Sequence, residues 1–236
     1  MELLTLLTIA LLAGLAMPAG ALLAGVNQVG PTWLVEQWRH FVLALGAGAL
    51  VSAVALVLVP DAIGHLTVPL ASVWFLIGAV AFMLLDIALA KMESAGSQLA
   101  AMLSDFVPES LALGAAAASG GNTLLIGLLI GVQNLPEGFN AFRELRHSGT
   151  MPAGKIIRSF SIMALIGPVF SLLGYVYLVH YPVVMASVMM FAAGGILYSV
   201  FQDLAPQIPL KQHWVPPLGA VLGFLVGILG LMVTGV

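Results

Sequence analysis

The chain has 236 residues, 61% of them hydrophobic and 7% charged, with no cysteine. A soluble domain carries about 25% charged residues and a disordered chain is more polar still, so both classes are excluded and the solvent is lipid. A net charge of −3 offers no basic stripe, so no nucleic-acid partner is expected, and the missing thiols remove disulfides, iron–sulfur clusters and thiolate metal sites.

A membrane-crossing helix needs about 20 apolar residues. That ruler finds eight spans, at about 3–25, 39–60, 68–90, 98–118, 122–142, 156–180, 183–205 and 214–235. The first contains Ala16-Met17-Pro18-Ala19 but begins on Glu2 rather than a positive charge, so it reads as a mature helix and not a signal peptide. The connections are short, the longest being about 143–155, and Ser119-Gly120-Gly121-Asn122 marks a tight reversal. The expected fold is all-α: one polytopic transmembrane domain over residues 1–236.

Charge orients it. Arg39 lies at the first connection, Lys91 at the third, Arg143, Arg146, Lys155 and Arg158 around the fifth, and Lys211 in the seventh. Every base therefore falls at an odd-numbered connection. Because cytoplasmic loops accumulate Lys and Arg, both termini are expected to be extracytoplasmic.

Among the acids, Glu2, Glu36, Glu93 and Glu144 fall at the terminus or in connections. Asp61, Asp86, Asp105, Glu109, Glu137 and Asp203 fall within spans or at their ends. A carboxylate at a helix centre costs about 2.5–3.5 kcal/mol, so an embedded acid is by default a functional candidate. Asp61 and Asp86 sit close enough to span ends to snorkel; Asp105, Glu109 and Glu137 lie too deep. The five histidines all lie in connections or at span ends and offer these acids no partner. Either the acids are protonated and packed, or a bound cation supplies the missing positive charge.

Spacing favours the cation. Asp105-Phe106-Val107-Pro108-Glu109-Ser110 in the fourth span recurs as Gln133-Asn134-Leu135-Pro136-Glu137-Gly138 in the fifth, at an offset of 28 residues. In each copy a ligand-type side chain precedes a glutamate by one helical turn, so both share a face. In each, a proline before the glutamate frees a backbone carbonyl, of Ser104 or Val132. Interrupted helices of this kind build transporter sites near the midplane, and Asp105, Glu109, Gln133, Asn134 and Glu137 are expected to converge there.

At these residues the chain resembles the ZIP (Zrt-, Irt-like) family of divalent metal transporters. Gln133 to Gly138 matches the Gln-containing bacterial version of the family's fifth-helix motif, and Asp105 to Ser110 is a looser match to the fourth. Phe191-Ala192-Ala193-Gly194-Gly195-Ile196-Leu197-Tyr198 resembles its seventh helix, and Val59-Pro60-Asp61-Ala62 the end of its second. The resemblance implies eight spans, external termini and a bacterial inner membrane. Because no histidine is embedded and no His-Glu-x-x-His pattern occurs, no enzymatic activity is expected. It implies import of a divalent ion by alternating access, the ligand-bearing helices sliding against a scaffold. Asp105 takes the family's histidine position, and Gln202 and Asp203 fall where it often has an accessory His-Glu pair near the inner exit. Two departures stand out: Phe106 replaces an asparagine that helps hold a second metal, and Gly167 replaces a glutamate before the sixth-helix proline. A single site is therefore expected.

All the proposed ligands are oxygen donors, which suit Mn²⁺ or Fe²⁺ better than Zn²⁺. The ion is cargo; no catalytic cofactor is expected. Gly219-x₃-Gly223-x₃-Gly227 and Gly127-x₃-Gly131 read as intrachain packing, with a homodimer interface or a sliding face as alternatives. Beside metal transport stand a proton-coupled carrier of a small organic solute and a metal-binding protein that does not transport.

Overall fold

Backbone polar groups cannot face hydrocarbon unpaired, and a lipid-embedded chain satisfies them within helices. The computed structural model describes residues 2–26, 32–91, 95–208 and 214–234, and among these there is no strand. Helix α1 spans Leu3–Val26. Helix α2 (Thr32–Ala53) continues through a π-helical turn (Val54–Leu58) into α3 (Val59–Ile63). Helices α4 (Val68–Ala90), α5 (Ala95–Ser119) and α6 (Thr123–His147) follow. The sixth span divides into α7 (Ala153–Ala164) and α8 (Ile166–Val176). The seventh is α9 (Pro182–Ser199) with a second π turn (Val200–Leu204), and α10 (Val215–Thr234) is last.

Seven of the eight spans are long and apolar enough to cross a membrane, the make-up of a multi-pass membrane protein. The outer faces of α4 and α10 present residues such as Leu76 and Val221, each 61% exposed, as a lipid-facing surface would. The fifth span, α6, has 25 residues but carries Gln133, Asn134, Glu137 and Asn140 and is not among the seven. It can be polar because it is enclosed by α1, α2, α5, α7 and α10.

Several expectations need correction. The connection expected at 143–155 shortens to residues 148–152, so Glu144 is a helix residue of α6. Neither Pro108 nor Pro136 interrupts its helix. The irregularities fall at other prolines. Pro168 has no N–H for the carbonyl of Ala164, and the helix breaks there. Pro60 and Pro206 each follow a π turn holding the carbonyl four residues back, and the ladder widens so that Val59 and Ala205 donate five residues back, to Val54 and Val200. Glu93, Lys211 and His213 lie outside the described residues, and of Glu36 only the backbone is described.

Helix pairing follows one rule. A Cβ at Gly20 would collide with the Leu135 carbonyl, and one at Gly138 with that of Met17. The same reciprocal contact joins Gly48 to Ala220 and Gly223 to Leu45, Gly78 to Phe191 and Gly194 to Phe75, and Gly114 to Ser171 and Gly174 to Leu111. In all four, each glycine meets the carbonyl three residues before its partner glycine. The pairs are α1·α6, α2·α10, α4·α9 and α5·α8, which join spans one and five, two and eight, three and seven, and four and six. Each pair joins spans of equal parity, which run in parallel. Such backbone approach permits Cα–H···O contacts and the dense packing on which lipid-embedded helices rely.

The clasps expose an inverted repeat: exchanging spans one with six, two with seven, three with eight and four with five maps the four pairs onto one another. The second and seventh spans carry it in detail. Gly48, the π turn from Val54 and Pro60 recur 146 residues later as Gly194, the π turn from Val200 and Pro206. Clasped pairs also fall into two bodies, α1·α6 with α5·α8 and α2·α10 with α4·α9. Between the bodies the glycine contacts are to side chains: the Cβ position of Gly46 is 2.9 Å from Pro136 Cβ, and that of Gly230 is 2.5 Å from Leu125 Cδ1.

Gly194→Val should therefore lower unfolding stability in detergent by about 3 kcal/mol, the upper range of overpacking costs. Gly154→Ala, with nothing within 4 Å of the new methyl, should change it by less than about 0.5 kcal/mol, both read from thermal unfolding curves.

Candidate metal site

The repeated motifs sit side by side on α5 and α6, at the seam between the two bodies. Glu109 and Gln133 are 3% and 1% exposed, and the Gln133 amide donates to Glu109 Oε1 across the two helices. Asp105 and Glu137 instead line a cavity of about 290 Å³ between α5 and α6 on one side and α2, α4 and the seventh span on the other. Asp203 is on the same wall. Gln202, its neighbour on the π turn, is exposed and does not line the cavity. Asn134 is buried, but its amide donates 2.9 Å to the Ala13 carbonyl, tying α6 to α1.

The expected convergence on one point is thus partial. Among the described residues no three acidic or histidine side chains stand close enough to hold a metal ion in this conformation. Instead Glu109 bonds Gln133 away from the cavity, while Asp105, Glu137 and Asp203 line it.

Four buried side-chain atoms among the described residues have no hydrogen-bond partner, and three of them are Asp105 Oδ1, Glu109 Oε2 and Gln133 Oε1. All three are acceptor oxygens. Buried polar atoms are normally paired, so three orphan acceptors in one place amount to a demand for a donor or a cation. The fourth, Arg143 Nη1, belongs to a side chain whose guanidinium lies 5.9 Å over the Phe139 ring.

The cavity adds residues that sequence reasoning did not assign to the site: Asp86 on α4, Gln98 on α5, Asn140 and Glu144 on α6, and Gln207 beyond the second π turn. With Asp105, Glu137 and Asp203 these make five carboxylates on one wall system, and among the described residues no Lys, Arg or His lines it. Asp86 also accepts a 3.5 Å hydrogen bond from the Tyr198 hydroxyl. Glu144 was legible as an acid but not as part of a helix, and Asn140, one turn beyond Pro136, shares the face of the motif.

A second, far smaller pocket of about 10 Å³ lies against Glu109, walled by Ala53, Val57, Leu58, Ile126, Leu129 and Ile130. The inverted repeat relates the two. A shift of 146 residues turns Ala53, Val57 and Leu58 into Ser199, Asp203 and Leu204, all on the large cavity. The offset of 28 turns Glu109 into Glu137, and Gln98, Ala101 and Met102 of the large cavity into Ile126, Leu129 and Ile130 of the small. Every residue of the small pocket has its counterpart in the large one. Apart from Glu109 the small one is apolar and has almost no free volume, whereas the large one is acidic and roomy.

Phe106 accounts for the region behind the site. Its Cζ lies 2.7 Å from the Cβ position of Gly167 and 3.1 Å from that of Gly14, so the ring fills the space that side chains there would occupy. No protein-family model matches this chain, and a search of curated proteins finds no relative.

Replacing Gln133 by Leu keeps the volume but removes the donor to buried Glu109. The expected cost is about 1–3 kcal/mol of stability, measured by thermal unfolding in metal-free detergent. No loss would mean that the Gln133–Glu109 contact does not form.

Proposed function

We propose that the chain imports divalent metal cations into the cytoplasm by alternating access, as the resemblance to the ZIP family implies. The observation that carries this reading is the set of three buried, unpartnered acceptor oxygens on Asp105, Glu109 and Gln133, beside an acid-walled cavity with no base on its wall among the described residues. Carboxylate and carbonyl oxygens suit Mn²⁺ and Fe²⁺ in preference to Zn²⁺. The Phe106 ring against Gly167 supports one ion rather than two, because it fills the space a second ligand set would need.

The two-body division supports the route. The body of α1, α5, α6, α7 and α8 holds Asp105, Glu109, Gln133 and Glu137 and moves against the scaffold of the remaining helices. The nearest glycine contacts between the bodies meet side chains, which permits sliding. The cavity lies toward the odd-numbered connections, the side where the bases place the cytoplasm. In this conformation the site is open inward, and the apolar pocket at Glu109 is the closed outward counterpart. Asp203 and Asp86 pass the ion toward the inner mouth, and both termini lie outside the cell membrane.

Reconstituted vesicles should take up Mn²⁺ saturably, and Asp105→Ala or Glu137→Ala should reduce uptake to the level of empty vesicles. Asp105→His should shift competition toward Zn²⁺ by about tenfold, since imidazole favours the softer ion. Uptake by the unaltered protein no greater than that of empty vesicles overturns the reading, and Zn²⁺ outcompeting Mn²⁺, Fe²⁺ and Co²⁺ widely in the unaltered protein overturns the metal preference.

A further inference from the structure

A chain of polar contacts rings the mouth of the acidic cavity and joins the two bodies. Glu144 on α6 accepts from Gln98 Nε2 on α5 at 2.6 Å and from Asn140 Nδ2 at 2.7 Å. The other end of the Asn140 amide, Oδ1, accepts from Arg39 Nε on α2 at 3.4 Å. A terminal nitrogen of Arg39 donates to Gln207 Oε1 at 3.1 Å, and Gln207 Nε2 donates to the Asp203 carbonyl at 2.8 Å. Gln98, Asn140 and Glu144 belong to the body that carries the candidate site. Arg39, Gln207 and Asp203 belong to the other. The guanidinium donates to both bodies, through the fixed fork that suits Arg to such bridging.

The inverted repeat shows that this network is not needed to hold helices together. Its counterparts at the other pocket, by the same shifts of 146 and 28 residues, are Met185 for Arg39, Ala112 for Asn140, Ala116 for Glu144, Ile126 for Gln98, Val57 for Asp203 and Asp61 for Gln207, so Asp61 alone among them is polar. Met185 and Ala112 are buried in a common apolar cluster. At the opposite end the bodies meet through apolar packing and one neutral hydrogen bond, from the Asn122 amide to the Thr234 hydroxyl, whereas the cavity end is bridged through a guanidinium. Two ends of identical make-up would give inward-open and outward-open states of similar energy, so a one-sided network is a bias between them.

We propose that Arg39, through Asn140 and Gln207, is a latch that holds the two bodies in the cavity-open arrangement and sets the resting equilibrium toward it. This rests on the two-body reading above but not on the identity of the cargo. The latch must break for the bodies to slide, and its loss shifts the population away from the state described here.

The cysteine-free chain makes the test direct. Ala101 is exposed on the cavity wall and lies outside the network, so Ala101→Cys reports the open state by its rate of reaction with a polar maleimide in metal-free, detergent-purified protein. Arg39→Leu and Asn140→Leu should each lower the open-to-closed ratio by about tenfold, the shift expected from losing one charge-assisted hydrogen bond. From an open-favoured start that slows labelling by a smaller factor, about twofold for a starting ratio of about ten, and the double variant should be no slower than either. Arg39→Lys, which keeps the charge but loses the fork, should fall between. Unchanged rates in Arg39→Leu, or effects that multiply in the double variant, overturn the proposal. Should Arg39→Leu fail to fold, Asn140→Leu and Arg39→Lys carry the test, and normal rates in both overturn it equally. Labelling that follows the latch alongside absent metal uptake would discard the cargo and leave the latch standing.

Discussion

Lipid removes the hydrophobic drive that pulls helices together in water, so close backbone approach must supply the cohesion. Here that cohesion comes from four reciprocal glycine contacts in which a side chain on either partner would strike the other's carbonyl. Everything else in the architecture depends on them. They choose which spans pair, they create the inverted relation between halves, and they confine rigid contact to the interior of two bodies. The seam left between the bodies is where polar side chains can stand without breaking a packed interface, and all the candidate site residues except Gln133, Asn134 and Gln202 line the cavities along it.

The spans were legible because apolarity at membrane length is a coarse signal that survives any error of a few residues at the ends. The third span matches at both ends, Val68–Ala90. Ends marked by charge were less legible: α6 runs on through Arg143, Glu144 and Arg146, since a helix leaving the hydrocarbon need not stop at the first charge. The Pro-Glu motifs pointed to the right pair of helices. Spacing along one helix says nothing of depth, though, so it could not show that Glu109 would bond Gln133 while Asp105 and Glu137 faced a separate cavity. Asp86 and Gln207 were out of reach for the same reason, being brought to the wall by α4 and by the turn after α9.

The inverted repeat was hidden more deeply. The second and seventh spans agree in a glycine, a valine and a proline at the positions that shape the backbone, while the side chains that fill the two pockets differ in polarity. Val57 stands where Asp203 does, and Ile126 where Gln98 does. Backbone geometry is thereby kept while chemistry diverges, so a comparison of side chains sees two unrelated helices. The glycine clasps and the equivalence of the pockets, residue for residue, reveal that one backbone plan has been used twice in opposite directions.

The contact of Phe106 with Gly167 and Gly14 has an evolutionary consequence. A ring at position 106 leaves no volume for a side chain at 167, and a small residue at 106 without a larger one at 167 leaves a void of the kind that costs about 3–5 kcal/mol when a buried phenylalanine is truncated. Neither position can change first without loss, so the pair acts as a ratchet. Lineages that have acquired the ring are held to it, and descendants of this chain should vary at the two positions together or at neither.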